Sequence, residues 1–111
     1  MSTKEVLDAI AYERAPRRPG SRVNIPIRCA DGFTVSVQAS DMHYANDGDG
    51  TTSPYFGIDR APEYPFVTFE VGYPSAPPPK TWRKYDSGGV WAFVPRRAVH
   101  LLLAAHGGVS A

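Results

Sequence analysis

The first regular spacing of apolar residues along the chain has the period of a helix. Four apolar residues recur at helical intervals, with charged residues on the opposite side: Val6, Leu7, Ile10 and Ala11. Ser2 or Thr3 is suited to cap the first turn, and Glu5 lies three residues after Ser2, as in a capping box. Because Pro16 interrupts the pattern, we predict a short amphipathic helix over residues 3–14.

Two runs of strict apolar and polar alternation follow and predict a β-hairpin. The apolar positions of the two runs are Val23, Ile25, Ile27 and Cys29, then Phe33, Val35, Val37 and Ala39. A two-residue turn would mix apolar and polar residues on each face. A three-residue loop pairs Ile27 with Val35, brings the apolar residues to one face and places Gly32 in the left-handed position. Pro26 has no N–H to donate, so we predict that the first strand is an edge strand or is bulged.

Residues 40–64 show no period and predict a long irregular loop, which in a compact domain is usually functional or disordered. A third strand is predicted over residues 65–73. Its two faces would carry Val67, Phe69, Val71 and Tyr73 on one side and Phe66, Thr68 and Glu70 on the other. Two more strands are predicted, a short one over 81–85 and a firmer one over 90–94, with a glycine pair turning the chain between them.

The last predicted element is a helix with both a start and a stop signal. Pro95 occupies its first position, and Gly107 and Gly108 follow its end. Its interior is so apolar that we predict a largely buried helix. The order of elements predicts one α+β domain over residues 1–111. It would be a mostly antiparallel sheet of four to five strands packed by an N-terminal and a C-terminal helix.

Composition is consistent with such a domain and narrows its location. The chain has 111 residues, of which 42% are apolar and 21% are charged. Cys29 is the single cysteine, which excludes an intramolecular disulfide and indicates a reducing compartment. Acidic residues stand near the start, where a signal peptide needs an apolar run, and the apolar stretch 101–105 is far shorter than the ~20 residues of a membrane crossing. We expect a cytoplasmic protein that does not enter a membrane.

The net charge of +1 averages over segments of opposite sign. Residues 41–70 contain six Asp or Glu and one Arg, a local charge of −5, whereas residues 1–40 carry +2 and residues 71–111 carry +4. The acidic segment also contains several tyrosines. An acidic, aromatic middle is therefore flanked by basic segments.

The acidic middle predicts a candidate partner-binding loop. Its residues are Asp41, His43, Tyr44, Asp47, Asp49, Tyr55 and Phe56. A calcium loop starting at Asp47 would need a glutamate where Ile58 stands, and a transition-metal site would need more ligands than an Asp and a His. Two alternatives remain open: a solvated, turn-rich loop, and a surface whose tyrosines and carboxylates contact a basic protein.

Two basic segments predict an alternative nucleic-acid site. Its residues are Lys80, Trp82, Arg83, Lys84, Arg96 and Arg97. Cations interleaved with aromatics can follow phosphates while stacking bases, but an amphipathic strand with Trp82 turned inward has the same pattern. Arg96 and Arg97 also begin a helix, where the helix dipole disfavours cations. An acidic partner, nucleic acid or an intramolecular Asp or Glu would each compensate them.

No catalytic motif is recognisable in the chain. Cys29 falls on the apolar face of its strand as a core residue, and His100 and His106 are most simply structural. The sequence contains no Ser/His/Asp order, phosphate-binding glycine loop or paired Cys motif. We therefore expect a protein that is not an enzyme and holds no cofactor or metal.

Several short phrases together resemble a known family. They are Ala30 to Ser40 followed by His43-Tyr44, Phe69 to Ser75, Phe93 to Pro95 and His106 to Gly108. Their order resembles a family of small uncharacterised accessory proteins of bacteriophages and prophages, over most of residues 23–108. The family has a Cys soon after the His-Tyr pair, where this chain has Ala45 and Asn46.

The resemblance implies a phage accessory protein in the bacterial host cytoplasm. It would bind a host protein complex and inhibit it by surface contact, with anti-CRISPR activity among the roles of such proteins. The expected partner is a host protein or protein complex, with nucleic acid as the alternative, and the expected state is a monomer or homodimer.

Overall fold

The computed structural model describes residues 1–51 and 62–110 of the chain. Its elements, in chain order, are α1 (Thr3–Ala11), β1 (Ile27–Arg28), β2 (Thr34–Gln38), β3 (Thr68–Gly72), a 3-10 helix (Lys80–Tyr85), β4 (Val90–Pro95) and α2 (Arg96–Ala105). The four strands form one antiparallel sheet in the order β1-β2-β3-β4. This α+β arrangement, with an N-terminal and a C-terminal helix, confirms the predicted fold class.

The capping box at the start of α1 is formed as predicted. The backbone N–H of Glu5 donates to Ser2 Oγ at 3.1 Å, and the backbone N–H of Ser2 donates to Glu5 Oε1 at 3.0 Å. The helix ends at Ala11, three residues earlier than predicted, because Glu13 adopts a left-handed φ of 53° that a helix cannot continue through. Leu7, Ile10 and Ala11 turn one stripe into the core.

The predicted three-residue hairpin loop is confirmed. Ile27 pairs with Val35, the N–H of Cys29 donates to the carbonyl of Phe33 at 2.8 Å, and Gly32 has a φ of 93°. The ladder does not continue back to Ile25, whose side chain is exposed and whose N–H donates to Pro16 instead. Pro26 explains the short β1, since a proline cannot donate to the strand beside it.

The outer edge of β1 is covered by the end of the described chain. The N–H of Ala30 donates to Gly108 at 3.0 Å, and the N–H of Ser110 donates to Arg28 at 2.8 Å. Cys29 and Val109 face each other across this short antiparallel bridge. The backbone groups that would template pairing with another chain are therefore already paired here.

The predicted faces of the third strand are partly wrong. Phe69 and Val71 are buried as expected, but Val67 and Tyr73 are exposed and Phe66 is buried. β3 begins only at Thr68, and the N–H of Phe66 donates to the carbonyl of Ala11, so Phe66 is oriented by α1 and not by the alternation of the strand.

The short strand predicted over 81–85 is also wrong, because these residues form the 3-10 helix. The N–H of Trp82 donates to Pro79 at 2.9 Å, and the N–H of Asp86 donates to Arg83 at 3.1 Å, both of them three-residue steps. Trp82 nevertheless turns inward and is 4% exposed.

The final helix is less buried than predicted. Pro95 is its N-cap, immediately before the first helical residue, and His106 is its C-cap. Val99, Leu102 and Leu103 face the core, but Leu101 is 53% exposed. One face of α2 packs on the sheet and on α1, and its other face is open. No helix in the described part of the chain is long and apolar enough to cross a membrane.

Candidate partner-binding surfaces

Tyr44, within the segment 40–47, lies on the face of the sheet opposite the core, because its N–H donates to Glu70 Oε1 at 3.4 Å. Glu70 alternates with the core residues Phe69 and Val71 and so points to this second face. The carbonyl of Tyr44 accepts from the N–H of Phe93 at 3.1 Å, and the carbonyl of Asn46 accepts from the N–H of Val67 at 2.9 Å. Backbone hydrogen bonds therefore fix this part of the predicted loop against β3 and β4.

A local irregularity in β4 brings an aromatic ring to Tyr44. The pairing of β3 with β4 shifts register between Phe69 and Val71, and Phe93 adopts a left-handed φ of 52°. The Phe93 and Tyr44 rings meet edge to face with centroids 6.0 Å apart. A bulge that redirects a side chain in this way is common beside functional sites.

Asp47, one of the predicted contact residues, is turned inward and is 3% exposed. Its Oδ1 accepts from the N–H groups of Asp49 and Thr51, both at 2.9 Å, and its Oδ2 accepts from the N–H of Glu63 at 2.9 Å. This carboxylate organises the turn and joins its two described ends. Asp49 itself is exposed.

Asp41 and His43 also make contacts within the protein. Asp41 accepts from Arg22 at 2.6 Å, and the His43 ring nitrogen Nδ1 lies 2.6 Å from Ser40 Oγ. Burial lowers the pKa of His43, which favours the neutral ring. Tyr55 and Phe56, the remaining predicted residues of this loop, lie outside the described residues.

Two further exposed tyrosines, which the sequence did not place at this site, meet near the end of α1, where the charge of Asp41 also acts on Tyr64. The Tyr12 and Tyr64 rings lie 6.5 Å apart, and the Tyr64 hydroxyl donates to the carboxylate of Glu13, which raises the pKa of Tyr64. Tyr64 lies in the same acidic segment as Tyr44, so the sequence contained a signal that could have placed it at this site. Tyr12 lies in the predicted first helix and had no such signal.

We name this region the acidic–aromatic surface. Its exposed apolar members and its accessible or partly accessible carboxylates are Tyr12, Met42, Tyr44, Tyr64 and Val67, with Glu13, Asp41, Asp49, Glu63 and Glu70.

The two basic segments singled out in the sequence line two different clefts, which share Leu101. Trp82 and Lys84 of the 3-10 helix line one, and Arg96 and Arg97 of α2 line the other, while the exposed Lys80 and Arg83 line neither of these two clefts. Trp82 is packed edge to face on Tyr85 with centroids 5.8 Å apart, which leaves it no free face for stacking a base. The inward orientation of Trp82 was the alternative that the sequence allowed.

The cation at the start of α2 is compensated within the protein. Arg96 pairs with Asp8 of α1 at 2.7 Å, and Lys4 pairs with the other oxygen of the same carboxylate at 2.8 Å. Both cations lower the pKa of Asp8 through their hydrogen bonds. An intramolecular bridge was one of the three predicted compensations for Arg96.

The remaining candidate residues have structural contacts. Cys29 is buried in the core, as predicted. The His106 ring stacks on Phe33 with centroids 3.8 Å apart, and its Nδ1 lies 2.7 Å from Asp31. In the described ranges, no group of three His, Cys, Asp or Glu side chains is arranged to hold a metal ion.

Comparison with protein-family models, with curated proteins and with solved structures finds no match to this chain.

Proposed function

We propose that this protein acts by surface contact with a host protein complex, through the acidic–aromatic surface, and that this contact inhibits the complex. The observation that supports the proposal best is the exposure of Tyr12, Tyr44 and Tyr64 on a surface with five carboxylates, two of which, Glu13 and Asp41, are paired with Arg17 and Arg22. Tyrosine is enriched among the residues that contribute most to protein interfaces. Carboxylates around the tyrosines would favour a basic partner surface and speed its approach.

The backbone around these tyrosines supports the same interpretation. Among the described residues, three that are not glycine have a left-handed φ: Glu13, Tyr73 and Phe93. Glu13 holds the Tyr64 hydroxyl, and Phe93 packs on Tyr44. Such conformations cost about 1–3 kcal/mol each and cluster at functional sites. Two of the three therefore support side chains of the acidic–aromatic surface.

The class of partner comes from the sequence resemblance. Small accessory proteins of phages and prophages act mostly on the machinery of the bacterial host. A bacterial protein complex with a basic contact face, such as one that itself binds nucleic acid, fits the charge of the acidic–aromatic surface. Anti-CRISPR activity is a specific form of this proposal.

The proposal is tested by capture from a bacterial lysate with matched variants. Immobilised wild-type protein is compared with a Tyr44→Ala/Tyr64→Ala variant, and the captured proteins are quantified by mass spectrometry. We expect the variant to lose about tenfold or more of the specific partner, because interface tyrosines each contribute about 1–2 kcal/mol or more. Asp47 is left intact because its carboxylate organises the turn.

The control variant is Tyr73→Ala. Tyr73 is 85% exposed and lines a separate cleft with Arg18 and Pro26, so its removal should leave capture unchanged. The captured complex is then purified, and its activity should fall when wild-type protein is added but not when the double variant is added. Equal capture by all three proteins, or no capture beyond the empty support, would contradict the proposal.

A further inference from the structure

A narrow groove lies between the 3-10 helix and the outer side of α2. Its volume is about 230 Å³. Its apolar lining comes from Pro79, Trp82, Tyr85, Leu101, Leu102 and Ala105. This volume is below the roughly 300–1,000 Å³ of small-molecule sites, so the groove suits a single side chain better than a metabolite.

A basic cleft of about 440 Å³ adjoins the groove and shares Leu101 with it. The other residues of this cleft are Lys4, Arg96, Arg97 and His100. The exposed side chain of Leu101 thus lies between an apolar groove and a basic cleft. The two together form one continuous strip along α2, which we name the α2 strip.

The charge of the α2 strip is strongly one-sided. The carboxylate of Asp8 contacts the α2 strip, where Lys4 and Arg96 both pair with it. Within the described ranges, no carboxylate lines either cleft, and Lys84 adds a further cation at the groove, 5.3 Å from the centre of the Tyr85 ring. The positive end of the α2 helix dipole adds to the positive potential of the strip. The first turn of α2 contains no acidic residue that would offset it.

We infer that the α2 strip is a second docking site, whose occupant is an acidic protein segment with apolar anchor residues. An apolar side chain of that segment would enter the groove beside Leu101, while its carboxylates would face Arg97 and Lys84. Apolar anchors flanked by complementary charge are how amphipathic segments bind grooves beside helices. Charge complementarity on the strip selects an acidic segment over a neutral or basic one.

The geometry disfavours nucleic acid as the occupant. Single-stranded nucleic acid is bound by stacking its bases on exposed aromatic faces along a basic groove. Trp82 is buried with its ring against Tyr85, and Tyr85 is itself half-buried with Lys84 over it. What remains exposed at the centre of the strip is Leu101, which offers nothing to a phosphate.

The inference is tested by fluorescence anisotropy with labelled probes. The main probe is a glutamate-rich peptide of about 15 residues with leucine at every third or fourth position, the pattern of a helical groove ligand. A second peptide has serine in place of each leucine, and a third probe is an oligothymidine of similar length. We expect the leucine peptide to bind at least about tenfold more tightly than the serine peptide.

Variants locate the binding on the protein. Leu101→Glu and Arg97→Glu should each weaken binding of the leucine peptide about tenfold or more, because each places a carboxylate against an acidic ligand. Arg18→Glu, at an exposed arginine that lines a different cleft, should change it by less than about twofold. The Tyr44→Ala/Tyr64→Ala variant should bind the peptide as the wild type does, which separates this test from that of the proposed function.

Four results would overturn the inference. They are no binding of the leucine peptide, equal binding of the serine peptide, an equal loss of affinity in the Arg18→Glu variant, and tighter binding of oligothymidine that Arg97→Glu weakens but Leu101→Glu does not. The last result would identify a nucleic-acid site in place of a protein site.

Discussion

Gly107 allows the closest approach between the end of α2 and the hairpin loop. Its φ is 90°, and a Cβ added to it would lie 2.9 Å from the Cβ of Ala30. Gly20 has a similar φ of 71° but nothing within 4 Å of such an added Cβ. Alanine substitutions at the two positions therefore distinguish the energetic cost of a left-handed conformation from the energetic cost of a steric clash.

We predict that Gly107→Ala lowers the free energy of unfolding by about 3 kcal/mol, since conformational strain and overpacking each cost about 1–3 kcal/mol. Gly20→Ala should cost only about 1 kcal/mol, from strain alone. Urea unfolding followed by circular dichroism measures both. An equal loss in the two variants would show that Ala30 moves aside freely.

At the scale of single residues, local rules predicted a contact between two residues only where the two lie close together along the chain. The pairing of Ile27 with Val35 and the left-handed Gly32 follow from alternation and turn length. The contact of Tyr12 with Tyr64 does not, because it depends on how α1 packs against a segment far along the chain. The acidic–aromatic surface was therefore only partly predictable.

The loop segment 40–47 carries a pH-sensitive contact of its own. Burial lowers the pKa of His43 below its ordinary value of 6.5, and this effect outweighs the opposing attraction of Glu70. The unfolded chain takes up a proton as the pH falls below 6.5, while the folded protein resists it. The contribution of His43 to stability is therefore complete above pH 6.5 and declines as the pH falls below that value.

We predict that His43→Gln flattens the decline of stability between about pH 7 and 5. The difference should stay below about 1 kcal/mol, because the ring is only half-buried and solvent screens its charge. Urea unfolding across this pH range compares the slopes, and identical slopes for the wild type and the variant would contradict the prediction.

At the scale of elements, periodicity identified both helices, the hairpin and β4, but it misassigned residues 81–85, which belong to the 3-10 helix Lys80–Tyr85. The apolar residues of this run, Trp82 and Tyr85, are three apart, which brings them to one side of a 3-10 helix but to opposite faces of a strand. The 3-10 helix is stabilised by the hydrogen bonds from Trp82 to Pro79 and from Asp86 to Arg83. Stiff prolines lie directly before it, at the residues preceding Lys80. None of these bonds has a signature in the alternation of residue types.

At the scale of the whole molecule, the outer edge of β1 is covered, and the outer edge of β4 is covered where that strand begins. Residues 108–110 pair with β1, and beside β4 the N–H of Ser87 donates to Val90 at 2.8 Å while Asp86 faces Trp91. Covered edges oppose the edge-to-edge dimer that the predicted β1 edge would have allowed.

We predict that deleting residues 108–111 exposes the β1 edge and makes the protein self-associate. The deletion removes the bonds from Ala30 to Gly108 and from Ser110 to Arg28, each contributing about 1 kcal/mol. Size-exclusion chromatography with light scattering should show dimers or larger species that increase with concentration. Ser110→Ala keeps both backbone bonds and should elute like the wild type. A truncated protein that elutes like the wild type would contradict this role for the segment.

The seam between the hairpin loop and the end of α2 has a further consequence, for the kinetics of folding. Asp31 and His106, which meet across it, are 75 residues apart in the sequence. Closing so long a loop costs entropy before any contact repays it, so local turns and the β1–β2 hairpin are expected to form earlier. Contacts made after the folding barrier act on the unfolding rate. The contacts across this seam should therefore govern the unfolding rate, and so the lifetime of the folded molecule, and have little influence on the folding rate.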